Sequence, residues 1–263
     1  MTIGAIPASG GVEAAIRRAS TATGVDFDFL MKTARRESAF NPNAQARTSS
    51  AAGLFQFIEQ TWLSTVKQSG SKHGYGQYAD LIHRGGDGRW RVEGSARNVV
   101  MDLRFDPQAA STMAAELTAA NAAYLRGRTG REPDGGDLYA AHFLGPAGAG
   151  KLMEAMSTRP GASAASLFPE AASANRSIFY RDGRPATVAE VHANLKRTAG
   201  EGAPASSTTP LSPPTDQERD IMMAARLDRL KQDQGLLAML LGQDGDGKGG
   251  GFGGAFGPEP DRA

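Results

Sequence analysis

Residues 34–57 read ARRESAFNPNAQARTSSAAGLFQF, and the placing of one carboxylate in this stretch decides how the chain is read. Just upstream, Phe27, Leu30, Met31 and Ala34 keep the i, i+3, i+4, i+7 spacing of a buried helix face, and Glu37 continues the same stripe while Arg35 and Arg36 point elsewhere. Asp26 stands where a side chain can accept from free backbone N–H groups, so the spacing predicts a helix over Asp26–Ser38, stopped by Asn41 and Pro42. A carboxyl on an apolar face is partly desolvated. That disfavours its charged form, and a carboxyl kept protonated near neutrality can serve as a general acid. The bland alternative is a glutamate at a frayed helix end that reaches back to water.

Working outward, the pattern predicts a first helix over Val12–Thr23 and a third from Glu59 carrying Trp62, Leu63 and Val66. From Ser69 to Gly94 the glycines argue for an irregular segment with a short helix around Tyr78–His83. A long Ala-rich helix follows over Asp106–Leu125, with Pro107 at an early position that tolerates proline. Then come the apolar run Leu138–Leu144, a loop GPAGAG, and a helix through Leu152 and Met156. Residues 11–198 therefore read as one mostly α domain behind a flexible N-terminus, residues 1–10. After it the composition changes. Residues 199–215 form a Pro/Ser/Thr linker, and Asp216–Leu241 an amphipathic helix whose Met223, Leu227, Leu230, Leu237 and Leu241 repeat in a seam broken by Gln234. That helix is read as docking on its own domain, self-associating or binding a protein partner; residues 242–263 are a Gly-rich tail.

Composition excludes more than it names. Lys plus Arg number 29 against 28 Asp plus Glu, a net charge of +1, so no global field draws the chain to nucleic acid or an anionic membrane. Without cysteine there is no disulfide or thiolate chemistry. No apolar run is long enough for a membrane span, and MTIGAIPASGGVEAAIRR shows no signal peptide. His73, His83, His142 and His192 lack a helical ligand spacing, so neither a metal nor a cofactor is expected. GPAGAGKL approaches a phosphate-binding loop but has Leu152 where a hydroxyl is required. DGDG near the C-terminus fails as a calcium loop, because Ala255 stands at the twelfth position.

The order Glu37, Ser38, Pro42, Ala44, then Gly53, Leu54, Phe55 and Gln56, resembles the motif run of the lytic transglycosylase SLT domain family. The resemblance implies a lysozyme-like helical fold with a substrate groove, acting on peptidoglycan glycan strands. AHFLGP is similar to a third family segment, Ala-Tyr-Asn-Ala-Gly, with Ala141 and Gly145 aligned and His142 in the tyrosine place. By that likeness Glu37 is the catalytic acid and base, Ser38, Gly53, Phe55 and Gln56 line the substrate, and His142 or Tyr139 bonds the catalytic carboxyl. Each residue also has a local reading: Ser38 bonding the last helix carbonyls, Gly53 in a plain turn, Phe55 in the core, His142 as a core histidine. Tyr75, in the irregular segment, is a candidate for stacking on sugar faces.

A family enzyme would protonate the oxygen between N-acetylmuramic acid and N-acetylglucosamine and close a 1,6-anhydro ring without water. It needs one carboxylate, and Glu59, Asp80, Asp87 and Glu93 read as structural or solvated. The substrate implies the periplasm, where a wall-crossing machine such as a flagellum or secretion apparatus would be a natural client. Two other readings share the residues: a hydrolytic muramidase, and a non-catalytic glycan-binding scaffold recruiting a partner through its C-terminal helix.

Overall fold

A computed structural model describes residues 8–47 and 49–200. The expected linker from residue 201 on, the amphipathic helix over residues 216–241 and the Gly-rich tail lie outside the described residues, as do residues 1–7 of the N-terminus; Ala199, read as the first linker residue, instead ends the last described helix. Helix α1 (Ala8–Thr23) starts ahead of Val12 and buries Val12, Ala15, Ile16 and Ala19, the same spacing that marks the inner face of α2 (Phe27–Ser38). Asp26 caps α2 by accepting from the Phe29 N–H at 2.7 Å. The helix ends at Ser38, as its sequence predicts. Ala39 and Phe40 turn into the left-handed region at φ 52° and 65°, and the Ala39 N–H closes the helix onto the Arg35 carbonyl.

Helix α3 (Glu59–Ser69) presents Trp62, Leu63 and Val66 inward, as its sequence predicts. The Trp62 ring is fully enclosed, meets Phe57 edge-on at 5.1 Å, and donates its indole N–H to the Val100 carbonyl at 2.8 Å. The glycine-rich segment behind it is more ordered than its composition suggests. A 3-10 turn (Gly70–His73) leads into α4 (Gly76–Asp80), two residues ahead of the expected short helix, and the antiparallel hairpin of β1 (His83–Arg84) and β2 (Trp90–Arg91) follows. Gln60 anchors that hairpin by donating to and accepting from the Trp90 backbone, both at 2.9 Å.

Helix α5 (Ala96–Asp102) and a 3-10 turn (Leu103–Phe105) deliver the chain to α6 (Pro107–Thr129), capped by Asp106 with Pro107 at its first position. The small side chains of Ala109, Ala110 and Ala114 let α1 pack closely along the first half of α6. This completes a first core built on residues from Val12 to Ala115. Leu125, further along α6, belongs to a second core that runs to Ala199, so one helix is shared by two lobes.

The second lobe starts with α7 (Gly135–Thr158). The expected loop GPAGAG is corrected to a kink: two helical stretches meet directly at Gly145, whose φ of 69° and ψ of 161° only glycine adopts readily. Pro146 restarts the helix immediately, where a missing N–H is harmless. Short helices α8 (Ala164–Leu167), α9 (Pro169–Ala174) and α10 (Arg176–Phe179), then the β3 (Tyr180–Arg181) and β4 (Arg184–Pro185) hairpin, lead to α11 (Val188–Ala199), which packs along α7. The contact is close enough that a Cβ at Gly136 would sit 2.3 Å from Cγ of Lys196.

Buried Asp137 ties this lobe together. With Asp134 it forms a reciprocal capping box at the start of α7. It also receives Arg131 Nη1 at 2.7 Å and His192 Nε2 of α11 at 3.1 Å. Burial works to raise its pKa, but these charge-assisted bonds win and hold it well below the usual carboxylate range.

Candidate active site

Where the two lobes meet, the C-terminal end of α2 lies against the first half of α7. Two consecutive residues of α2 grip two residues one turn apart on α7. Glu37 Oε1 contacts His142 Nε2 at 2.6 Å, and the Arg36 guanidinium carbon lies 4.6 Å from the centre of the Tyr139 ring. Tyr139 in turn stacks on His142, with ring centres 6.0 Å apart and planes 21° from parallel. Glu37 keeps 13 % of its side-chain surface and His142 keeps 22 %, so the pair is shielded yet open to one side. Glu37 is neither in bulk water nor sealed in the core. The neighbour contacting its carboxyl through a ring nitrogen is His142.

Beside the pair a narrow cavity of about 30 Å³ runs between the lobes. Phe29, Leu30 and Thr33 of α2, Phe55 and Phe57, four residues of α6 from Ala114 to Asn121, and Leu138, Tyr139 and His142 of α7 line it. It is mostly apolar, with Thr33, Thr118 and Asn121 as polar points. Phe55 is therefore both a member of the first core and a wall of this cavity.

The segment from Ala44 to Phe57 holds the floor beneath Phe55. Ala52 and Phe57 exchange backbone hydrogen bonds at 3.2 and 3.1 Å, closing a tight loop, and the Gly53 N–H donates to the Ala44 carbonyl at 2.8 Å. Gly53 sits at φ 79°, and a Cβ there would come within 1.9 Å of the Arg104 carbonyl oxygen. The close approach that demands glycine is thus to the protein's own backbone, not to a sugar. Gln56 adopts φ 47°, a conformation costly for a side-chain-bearing residue, and its amide donates to the carbonyls of Ala44 at 3.1 Å and Gly53 at 2.9 Å. Those two bonds offset the strain and fix the amide as a brace within the loop.

Ser38 is 3 % exposed, and its hydroxyl reaches the carbonyls of Leu54 at 2.8 Å and Ala34 at 3.2 Å. The Ala34 bond is the local reading of Ser38, a hydroxyl bonded to the last helix carbonyls. Ser38 pins the end of α2, and with it Glu37, to the loop that carries Phe55. Tyr75 is placed apart from the cavity, at the turn into α4, against Gly70 and beside Tyr78 at 6.3 Å. Burial, Asp106 and Tyr78 push its phenol pKa up.

Two residues were missed by the sequence reading. Arg104, almost buried, donates Nη1 to the carbonyls of Ser50 at 2.6 Å and Phe57 at 3.1 Å, and Nε to Met101 at 3.0 Å, so it ties the loop to the α5–α6 connection. Burial lowers its pKa, and its carbonyl ligands keep the guanidinium solvated from within. Arg36 was read as pointing away from the stripe, yet it covers Tyr139. No local sequence signal marks either one, because both act on partners distant in the chain.

Residues 14–80 match the family model of the transglycosylase SLT domain. The matched span runs from α1 to α4 and includes Glu37, Ser38 and the Gly53–Gln56 loop. Over that span the chain is similar to a transglycosylase SLT domain. SLT domains belong to the lytic transglycosylase type that cleaves peptidoglycan, so the substrate class is the glycan strand and the implied place of action is the bacterial cell envelope. The mostly helical, lysozyme-like build agrees with it. His142 and Tyr139 lie beyond the matched span and reach the SLT glutamate only through the meeting of the lobes. No helix among the described residues is long and apolar enough to cross a membrane.

Proposed function

We propose that the protein is a peptidoglycan lytic transglycosylase with residues 11–198 as its catalytic unit and Glu37 as acid and then base. It cleaves the β-1,4 bond between N-acetylmuramic acid and N-acetylglucosamine and leaves a 1,6-anhydro end. The observation that carries this reading is the Glu37 carboxyl: shielded, on the SLT motif, and held at the lobe junction against an imidazole.

In the first step Glu37 gives its proton to the glycosidic oxygen as the C1–O4 bond breaks, and the substrate's own acetamido group stabilises the cationic centre. In the second step the ionised carboxylate takes the proton of the C6 hydroxyl of the same muramyl residue, whose oxygen closes on C1. One group serves twice, which requires it to hold and lose a proton near the working pH. A water-activating second carboxylate is not needed. The other acidic residues weighed for that task are occupied or exposed: Glu59 pairs with Arg97 at 2.7 Å, Asp87 with Arg91 at 2.7 Å, Glu93 with His83 at 3.4 Å, and Asp80 lies on the surface. The shielded setting of Glu37 favours ring closure over attack by bulk water.

Digestion of purified peptidoglycan by the wild-type protein and by Glu37→Gln, with mass spectrometry of the products, tests the reading. Anhydro-muropeptides from wild type and a loss of about 10² to 10⁴-fold in Glu37→Gln are expected. Reducing ends would make the protein a muramidase, and glycan binding without cleavage would make it a scaffold.

A further inference from the structure

We propose that Glu37 and His142 hold the reaction's proton as a single unit, with His142 a positioning residue that receives and returns that proton through Glu37. The inference rests on the acid–base role proposed for Glu37 and concerns where its proton is kept between the two steps.

The geometry is direct. Oε1 and Nε2 stand 2.6 Å apart, shorter than an ordinary neutral N–H···O bond, and both side chains are shielded. At that distance the two groups share one proton, written either as a carboxylic acid facing a neutral imidazole or as a carboxylate facing an imidazolium. Such a pair titrates as a pair, in macroscopic steps that belong to neither residue alone. The family resemblance places tyrosine at this position. A phenol, with an ordinary pKa of about 10, donates a hydrogen bond but takes up no second proton near neutrality, whereas an imidazole at about 6.5 does. The substitution changes a fixed donor into a proton carrier.

The balance closes. The singly protonated pair gives its proton to O4 as C1–O4 breaks and becomes carboxylate plus neutral imidazole. When O6 bonds to C1, the O6 proton passes to the Glu37 carboxylate and settles between it and His142, which restores the starting state. No water and no external acid enter the cycle. The surroundings suit the task. Arg36 of α2 lies across Tyr139, the ring stacked on His142; α6 contributes uncharged Thr118 and Asn121 to the adjoining cavity, and the loop contributes Phe55 and Phe57.

The test is an NMR titration of the ¹⁵N-histidine-labelled full chain, with the His142 signals assigned by their loss in His142→Asn. In Glu37→Gln the carboxylate's attraction is gone, and the His142 midpoint is expected to fall by about 1 to 3 pH units relative to wild type. An unchanged midpoint overturns the proposal. A second measurement follows kcat/KM for glycan release against pH. In His142→Phe and in His142→Tyr the alkaline limb is expected to move to lower pH, because the carboxyl then titrates without an imidazole to share its proton. A uniform loss of rate with the limb unmoved would make His142 merely structural and would overturn the proposal. If wild type forms no anhydro product, the functional reading fails while the titration still decides the shared proton.

Discussion

The two lobes are built from different materials. The first, from Val12 to Ala115, is stabilised by large side chains around Trp62 and by a loop braced with buried polar bonds from Gln56, Ser38 and Arg104. The second, from Leu125 to Ala199, sets Tyr139, Phe143, Phe168 and Phe179 among many alanines and relies on close helix contact and the buried charge of Asp137. The SLT match falls wholly in the first. The carboxyl comes from the lobe that carries the motif, and its imidazole partner from the lobe that does not. The geometry of the candidate site is therefore a property of the junction, and damage to either lobe should reach it by a different route.

Gly53→Ala should strike hardest on the first lobe. The added methyl would clash with the Arg104 carbonyl in a backbone conformation already unfavourable for alanine, so a loss of about 3 kcal/mol or more is expected in denaturant melts. A melt within 0.5 kcal/mol of wild type would mean, roughly, that the loop relaxes and is not the rigid floor described.

Asp137→Asn tests the second lobe. Removing the charge leaves Arg131 and His192 without their carboxylate, at a cost of about 2 to 3 kcal/mol at neutral pH. The pH dependence has a definite sign. The folded-state pKa of Asp137 is depressed, so its stabilisation is present above the unfolded value of about 3.9 and is lost as pH falls from there toward the folded value. Wild type should thus lose more stability than Asp137→Asn in that acid window. Parallel acid denaturation curves would assign the stability of the second lobe to packing alone.

Ser38→Ala should have the smallest effect, about 1 kcal/mol from the lost bond to the Leu54 carbonyl. It sharpens the comparison through function: if Ser38 pins Glu37 to the loop, kcat should fall while KM for glycan stays close to wild type. A rise in KM alone would instead return Ser38 to substrate binding.

Much of this contrast is visible in the sequence, and the reasons for the rest are physical. Helices with a cap and a periodic face, such as α2 behind Asp26 and α6 behind Asp106 and Pro107, are local statements that the sequence makes plainly. The hairpins escape it because two-residue strands have no periodicity to detect. The left-handed turn after α2 escapes it because Ala39 and Phe40 are not residues that announce one. At the site, Glu37 is legible from its stripe. The choice between Tyr139 and His142 is not, since a residue at i and one at i+3 share a helix face and only the packing of α7 on α2 separates them. Gln56, Ser38 and Gly53 read as substrate contacts because motif residues are noticed together. Their bonds to Ala44, Leu54 and Arg104 are long-range facts that no motif records.

The pairing of α1 with α6 has a consequence for synthesis. Arg18 meets Gln108 at a separation of 90 residues, so the first helix leaves the ribosome well before the surface it packs against exists. At about 5 to 20 residues per second, α1 waits roughly 5 to 18 s with Val12 and Ile16 uncovered. During that interval the nascent chain offers an apolar helix face to chaperones.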